Sequence, residues 1–453
     1  MAQVHAVNPY SEEKIASYTK HTKKDISSIL QKADDRFYSW RETSFAERKK
    51  LMLAAASELK KNKQEYAEMM TLEIGKPISQ SIAELEKCAW VCEYYANEAE
   101  EQVANETIKT DAYKSYTSYE PMGVVLAVMP WNYPFWQVFR FAAPALMAGN
   151  IGVLKHASNV FGSALNIEKV FQRAGFPDHC FTTLLVGSEA IEAIIEDPII
   201  KAVTLTGSGP AGSAVAATAG RKIKKSVLEL GGNNALIVMA DCDMDKTVDI
   251  CVQARFQNTG QSCIAGKRLL IDEKISEEFI EKLLLKVREL KSGDPMKKST
   301  YIGTMAREDL AKELEAQVNA SIEQGAKLAI GGKRQGAYFE PTVLTGVTPK
   351  MIVFKEETFG PALSVTTFKN ADEAIALSNN SRFGLGVSIF TKDIEAAEQM
   401  AYRFDEGAVF INELVKSDPR LPFGGVKESG YGRELSKHGI REFLNRKTVY
   451  IQK

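Results

Sequence analysis

Four short stretches carry side chains whose type and setting suit chemistry. "QNTGQSCIAGKR", Gln257 to Arg268, holds a single cysteine, Cys263, among small polar residues. A thiol in so glycine-rich a setting is an accident, a redox liability or a nucleophile, and it acts as a nucleophile where its neighbours favour the thiolate. "LELGG", Leu228 to Gly232, places Glu229 in an otherwise apolar strand. Burial there raises the carboxyl toward neutrality and makes it a general base; on an edge strand it is a solvated Glu. "MPWNYPFW", Met129 to Trp136, holds Asn132 between two prolines. A fixed side-chain amide at a strand end is an oxyanion donor, and aromatic packing is the plainer reading. "TLTGSGPAG", Thr204 to Gly212, is a strand-to-helix turn that offers backbone N–H groups to a phosphate. It does not match G-x-G-x-x-G and serves equally as a tight turn. No histidine is tied by sequence to Cys263, so a protease-like Cys/His pair lacks support. A Cys/Glu pair with an Asn donor suits attack on an aldehyde.

These residues need elements to position them. "TSFAERKKLMLAAASELKKNKQEYAEMMTLEIGKP" reads as one helix, opened by Ser44 and Glu47 in capping-box spacing and closed at Gly75-Lys76-Pro77. From Gly123 onward short apolar β-branched runs alternate with helical patterns: "GVVLAVMP", a helix from Phe135 to Met147, "NIGVLKHA", "FTTLLVG" and "KAVTLTGS". Such alternation predicts βαβ crossovers and a parallel sheet. After "SVLELGG" a second series follows, "NALIVMA", "KRLLIDE", "LSVTTF", "VSIFT" and "AVFIN". Two series imply two α/β domains with a cleft between them. "DAYKSYTSYE", Asp111 to Glu120, and the C-terminal "REFLNRKTVYIQK" read as strands outside both sheets.

The chain of 453 residues is 45% hydrophobic and 25% charged, with a formal net charge of -1, so nothing in it argues for nucleic acid or a basic membrane patch. No apolar run reaches membrane-spanning length, and the start lacks a secretory or transit pattern, which makes the cytoplasm the expected compartment. The six cysteines, Cys88, Cys92, Cys180, Cys242, Cys251 and Cys263, follow neither a disulfide framework nor zinc spacing, and no metal site is expected.

In order, "PWNYP", "TLTGS", "LELGG", "NTGQSC", "EETFGP" and "LPFGGVKESGYGRE" resemble the aldehyde dehydrogenase superfamily over nearly the whole chain, and within it the succinate-semialdehyde dehydrogenases. The resemblance implies an α/β fold: a Rossmann-type cofactor domain (residues 1–110 and 130–228), a second α/β catalytic domain (229–424) and a small β oligomerisation arm (111–129 and 425–453), in a homodimer or homotetramer. It makes Cys263 the nucleophile that forms a thiohemiacetal, Asn132 with the Cys263 N–H the oxyanion hole, and Glu229 the base that sends water to the thioester. It assigns Lys155 to the adenosine ribose, Thr206, Gly207 and Ser208 to the phosphates, Glu357 and Phe359 to the nicotinamide end, and Trp131 to the same pocket. NAD-restricted relatives often carry a Glu three positions after the lysine; here Ser158 stands there, which admits NADP, alongside NAD or in its place.

For a substrate carboxylate the resemblance points to Arg140, eight residues after Asn132; an Arg–carboxylate pair is bidentate and directional. The plain alternative is a helix-surface salt bridge. A second arginine that relatives carry six residues before the nucleophile is replaced by Gln257, and Lys416, Ser417 and Arg420 border the expected tunnel. Ala265 stands where many members carry a second cysteine, so no adjacent redox switch is expected. The expected reaction is NAD(P)-dependent oxidation of succinate semialdehyde to succinate. The alternatives are glutarate semialdehyde, an aliphatic aldehyde or lactaldehyde, or a non-catalytic binding protein of the same fold. A coenzyme A-acylating relative typically lacks the equivalent of Glu229.

Overall fold

The computed structural model describes residues 3–453. Its centre is a six-stranded sheet in the order Gly430–Tyr431, Lys225–Glu229, Ile200–Thr206, Val124–Met129, Ile151–His156, Phe181–Thr183. All neighbours run parallel except Gly430–Tyr431, which pairs antiparallel with Lys225–Glu229. The strands Val124–Met129 and Ile151–His156 are buried at every residue, as continuous apolar runs in a parallel sheet covered on both faces must be.

A seven-stranded sheet follows in the order Lys327–Ile330, Thr342–Thr345, Ala362–Phe368, Gly266–Asp272, Asn234–Val238, Val387–Phe390, Val409–Ile411. Alternate residues of the strands Asn234–Val238 and Gly266–Asp272 feed two separate apolar cores, Ile237 and Leu270 on one face, Leu236 and Leu269 on the other. The chain crosses between the sheets directly after Glu229, through Leu230–Asn233. A third sheet, Leu444–Ile451, Lys114–Pro121 and Glu106–Thr107, is antiparallel and largely solvated. No helix among the described residues is long and apolar enough to cross a membrane.

Three sequence expectations change. The helix expected from Ser44 to Gly75 is two, Phe45–Lys61 and Lys63–Ile74. Ser44 and Glu47 do form the capping box, and Gly75 closes the second helix at φ 70. The break falls at Asn62, whose backbone leaves the helical region (φ -108, ψ 19) while its side chain donates to the Glu58 carboxylate at 2.7 Å; Asn is among the weaker interior helix formers. The strand Val124–Met129 falls within the segment 111–129 assigned to the arm, yet it bonds in the middle of the six-stranded sheet because all its side chains are apolar. Gly430–Tyr431, inside 425–453, joins the same sheet.

Candidate active site

A cavity of about 520 Å³ opens between the two large sheets, lined among others by Trp131, Asn132, Thr206, Cys263, Glu357 and Phe359. Cys263 follows a turn in which Asn258, Thr259 and Gly260 all have positive φ (55°, 52° and 69°). Two consecutive non-glycine residues in the left-handed region persist only where the surroundings over-determine them. The Asn258 amide donates to the carbonyls of Asn132 (2.8 Å) and Gln261 (3.1 Å), and its N–H donates to Gln80 Oε1 at 2.7 Å. Gly260 approaches the Gly360 carbonyl so closely that any Cβ would collide with it.

Burial pushes the Cys263 thiol up to about 11, with Glu357 and Glu229 acting in the same direction and Lys267 and Arg140 opposing. It therefore rests as a thiol at neutral pH and needs a base. Lys267, fully buried at the start of strand Gly266–Asp272, donates to the carbonyls of Ser262 and Cys263, both at 2.8 Å, and pairs with Glu357 at 3.0 Å. One ammonium thus fixes the cysteine backbone and the Glu357 carboxylate together.

Asn132 is buried; its Nδ2 donates to Gln261 O at 3.0 Å and its Oδ1 accepts from Gln137 at 3.1 Å, so the flip of the amide is set. A carboxamide has two N–H donors, and the second is left for a ligand.

Glu229 ends an interior strand, buried, with neither carboxylate oxygen hydrogen-bonded to protein. Burial raises it well above the usual carboxylate range; Glu434 adds to this, and Arg140 and Arg433 oppose. The solvated edge-strand alternative is thereby excluded. The carboxylate sits behind the cavity wall, where a Cβ on Gly424 would lie 2.6 Å from Oε1.

Thr206 closes its strand, the Gly207 N–H donates to Glu229 O at 2.9 Å, and Ser208 precedes helix Gly209–Arg221, whose first turn no side chain caps. The Trp131 and Phe359 rings meet edge to face at 5.7 Å on the cavity wall. Glu357 also accepts from Gly232 N–H at 3.1 Å, and a Cβ on Gly231 would collide with its carboxylate. Lys155 is buried at the end of its strand and Ser158 opens the short turn after it.

The substrate-side expectations fare differently. Arg140 does not line the cavity: its Nε pairs with buried Glu434, its Nη2 donates to Thr206 at 3.3 Å, and it stacks 4.5 Å over the Phe423 ring. A buried guanidinium needs a counter-ion, and Glu434 supplies it. Gln257 opens instead onto an outer groove with Gln80 and Tyr301, because the kink at Asn258 turns it away. Arg420 is mostly exposed and folds back bidentately on Asp418, at 2.9 and 2.7 Å, and Lys416 pairs with Glu413 at 2.7 Å. Ser417 is buried and accepts from Lys87 Nζ at 2.9 Å, with Lys87 lying 4.3 Å over the Trp136 ring.

Three side chains in this network escape sequence reasoning: Lys267, Glu434 and Lys87. A lysine opening the apolar strand "GKRLLID" and the Glu of "GYGRE" were the available signals; Lys87 lies on a helix flank that reads as solvated.

The aldehyde dehydrogenase family model matches residues 2–449. The chain is 48% identical over 448 residues to a probable succinate-semialdehyde dehydrogenase [NADP(+)] of Synechocystis sp., covering 98% of this chain and 99% of the relative. It is 47% identical over 451 residues to succinate-semialdehyde dehydrogenase [NADP(+)] 1 of Mycobacterium tuberculosis, with the same coverage. Among solved structures, the succinic semialdehyde dehydrogenase of Streptococcus pyogenes in complex with NADP+ superposes with a TM-score of 0.97 at 33% identity, covering 99% of this chain and all of that one. The NAD-dependent aldehyde dehydrogenase of Sinorhizobium meliloti gives 0.96 at 36% identity, covering 100% of this chain and 91% of that one.

Proposed function

The chain belongs to the aldehyde dehydrogenase family, and from that premise we propose that it oxidises succinate semialdehyde to succinate with NADP, or NAD less readily, through a cysteine thioester. One observation carries the reading: Cys263, Asn132 and the Trp131–Phe359 pair share one cavity, with the unpartnered Glu229 carboxylate buried beside it. The residues fit a dinucleotide: an uncapped helix start after Gly207 and Ser208 for the phosphates, the anchored Glu357 carboxylate for a ribose, and buried Lys155 with the small Ser158 for the adenosine end. When bound, the cofactor accepts the hydride from the aldehyde carbon.

The protein's own groups do the rest. Glu229, raised by burial, takes the thiol proton of Cys263 through water, and Sγ forms a bond to the aldehyde carbon. The oxygen of that carbon takes up the negative charge and is held by the free Asn132 N–H and the Cys263 backbone N–H. After the carbon has lost hydride, Glu229 gives up that first proton to solvent. A water then attacks the thioester on Cys263, its proton goes to Glu229, and the carboxylic acid leaves as the C–S bond breaks, the Cys263 thiolate taking the proton back from Glu229.

The substrate carboxylate is drawn by the cations behind the cavity. Lys87 has no carboxylate within ion-pair distance among the described residues, and Arg140, though paired, acts on Cys263 and Lys87 alike. Lys87 and Ser417 together form the anion end. The protein works in the cytoplasm as a homodimer or homotetramer, its solvated three-stranded sheet the surface that a second copy covers.

Absorbance at the reduced-nicotinamide band tests this, with succinate semialdehyde and butanal each offered with NADP and NAD. Preference for the semialdehyde with NADP supports the assignment. Equal turnover of butanal removes the substrate assignment.

A further inference from the structure

Lys155 is buried near the end of strand Ile151–His156, next to the edge of the six-stranded sheet, and has no carboxylate within ion-pair distance among the described residues. Two charges from other segments act on it: the Glu189 carboxylate, which favours its charged form, and the Lys20 ammonium, which opposes it. Lys20 Nζ pairs with Glu189 Oε1 at 2.9 Å. The backbone fixes this corner. His21 N–H donates to Leu185 O at 2.9 Å, and Leu185 N–H donates back to His21 Nδ1 at 3.3 Å. That clasp ties the end of strand Lys14–Thr19 to the turn carrying Glu189. Any Cβ at Gly187 would collide with the Glu189 carboxylate, so the glycine is what lets the acid fold back over the turn.

The two partners differ in exposure: the Lys20 side chain is 27% exposed and that of Glu189 67%. The acid can therefore turn to solvent while the lysine stays. An exposed ion pair of this kind contributes little, so giving it up costs little. A phosphate between two ammonium groups gains charge-assisted hydrogen bonds to both. A hydroxyl in the same place gains no such pairing.

We propose that Lys20 is a second cation, beside Lys155, for the 2′-phosphate of NADP, and that Glu189 is the internal counter-ion this phosphate displaces. The assignment rests on the reading of NADP as cofactor. It adds a selectivity determinant from the N-terminal segment to the Lys155–Ser158 turn.

Isothermal titration of the full-length protein with 2′,5′-ADP and with 5′-AMP, ligands that differ only in the 2′-phosphate, tests it. Lys20→Met is expected to weaken 2′,5′-ADP roughly ten-fold, the loss of one charged hydrogen bond, and to leave 5′-AMP within about two-fold. It should also flatten the salt dependence of 2′,5′-ADP binding. Lys20→Arg is expected to restore most of the affinity, and Glu189→Gln to tighten 2′,5′-ADP. Equal weakening of both ligands by Lys20→Met would make Lys20 a prop of the fold and overturn the assignment. So would unchanged binding of 2′,5′-ADP in a protein that prefers it to 5′-AMP. A wild-type protein that shows no such preference overturns the NADP reading, and the role of Lys20 with it.

Discussion

Burial works on Cys263 and Glu229 in the same direction: it pushes the thiol up to about 11 and the carboxyl well above the usual carboxylate range. A reaction that needs each of them to release a proton should quicken as pH rises. We expect kcat/KM to climb as pH rises toward about 9, and Glu229→Gln to lower kcat roughly a hundred- to ten-thousand-fold while leaving the part of the climb that comes from the Cys263 thiolate. A stopped-flow pH profile of both proteins checks this. Gly424 gives a subtler test. Its φ of 152° and the 2.6 Å approach of Glu229 Oε1 leave no room for a methyl group. Gly424→Ala should push the carboxylate out of its seat, lowering kcat with little change in KM. On the substrate side, burial and then the Arg140 charge hold the Lys87 ammonium down to about 8. The KM for succinate semialdehyde should therefore rise as pH passes about 8, and that for butanal should not. Lys87→Met should show the high-pH KM at every pH.

Two turns hold Asn132 and Cys263, and each depends on one buried titratable side chain. The turn after strand Val124–Met129 is pinned by His156, whose Nε2 donates to Pro134 O at 2.9 Å while its Nδ1 accepts from Ala157 N–H at 2.9 Å. Burial lowers this imidazole from its usual 6.5 to about 4. As pH falls below 6.5 the unfolded chain takes up a proton that the native protein refuses until about 4. The stability tied to neutral His156, about 3 kcal/mol, is therefore full above pH 6.5 and lost between 6.5 and 4. Urea unfolding at pH 7.5 and 4.5 should show His156→Gln losing less on acidification than the wild type. The turn before Cys263 depends in the same way on Lys267. Lys267→Met leaves the Ser262 and Cys263 carbonyls and the Glu357 carboxylate unpaired, a loss of about 3 kcal/mol or more. These anchors also mark the limit of what the sequence displays. Cys263, Glu229 and Asn132 stand out because strand ends, prolines and glycines around them are local signals, though each signal alone has a plainer reading and the roles come from the family resemblance. Lys87 and its partner Ser417 stand 330 residues apart, and Asn132 and Gln261 129 apart. Arg140 was legible as a special arginine, but its partner Glu434 comes from beyond the second sheet, and only folding reveals that the guanidinium is already spoken for.

At the scale of the molecule, two α/β sheets meet where the chain crosses at Leu230–Asn233, so Glu229, the proposed base, ends one sheet and Cys263, the proposed nucleophile, precedes a strand of the other. Both sheets contribute to both tasks: Asn132 and Glu229 follow or end strands of the first, and Glu357 and Phe359 precede a strand of the second. In Glu229→Gln held at about pH 9, where part of Cys263 ionises without that base, the thioester should form slowly and then wait. The decisive measurement is intact-protein mass spectrometry after acid quench of that variant with succinate semialdehyde and NADP, followed by peptide mapping. A succinyl adduct on Cys263, absent without NADP and absent from Cys263→Ala, is the result expected. Stoichiometric NADPH release with an unmodified Cys263 would contradict covalent catalysis at this thiol.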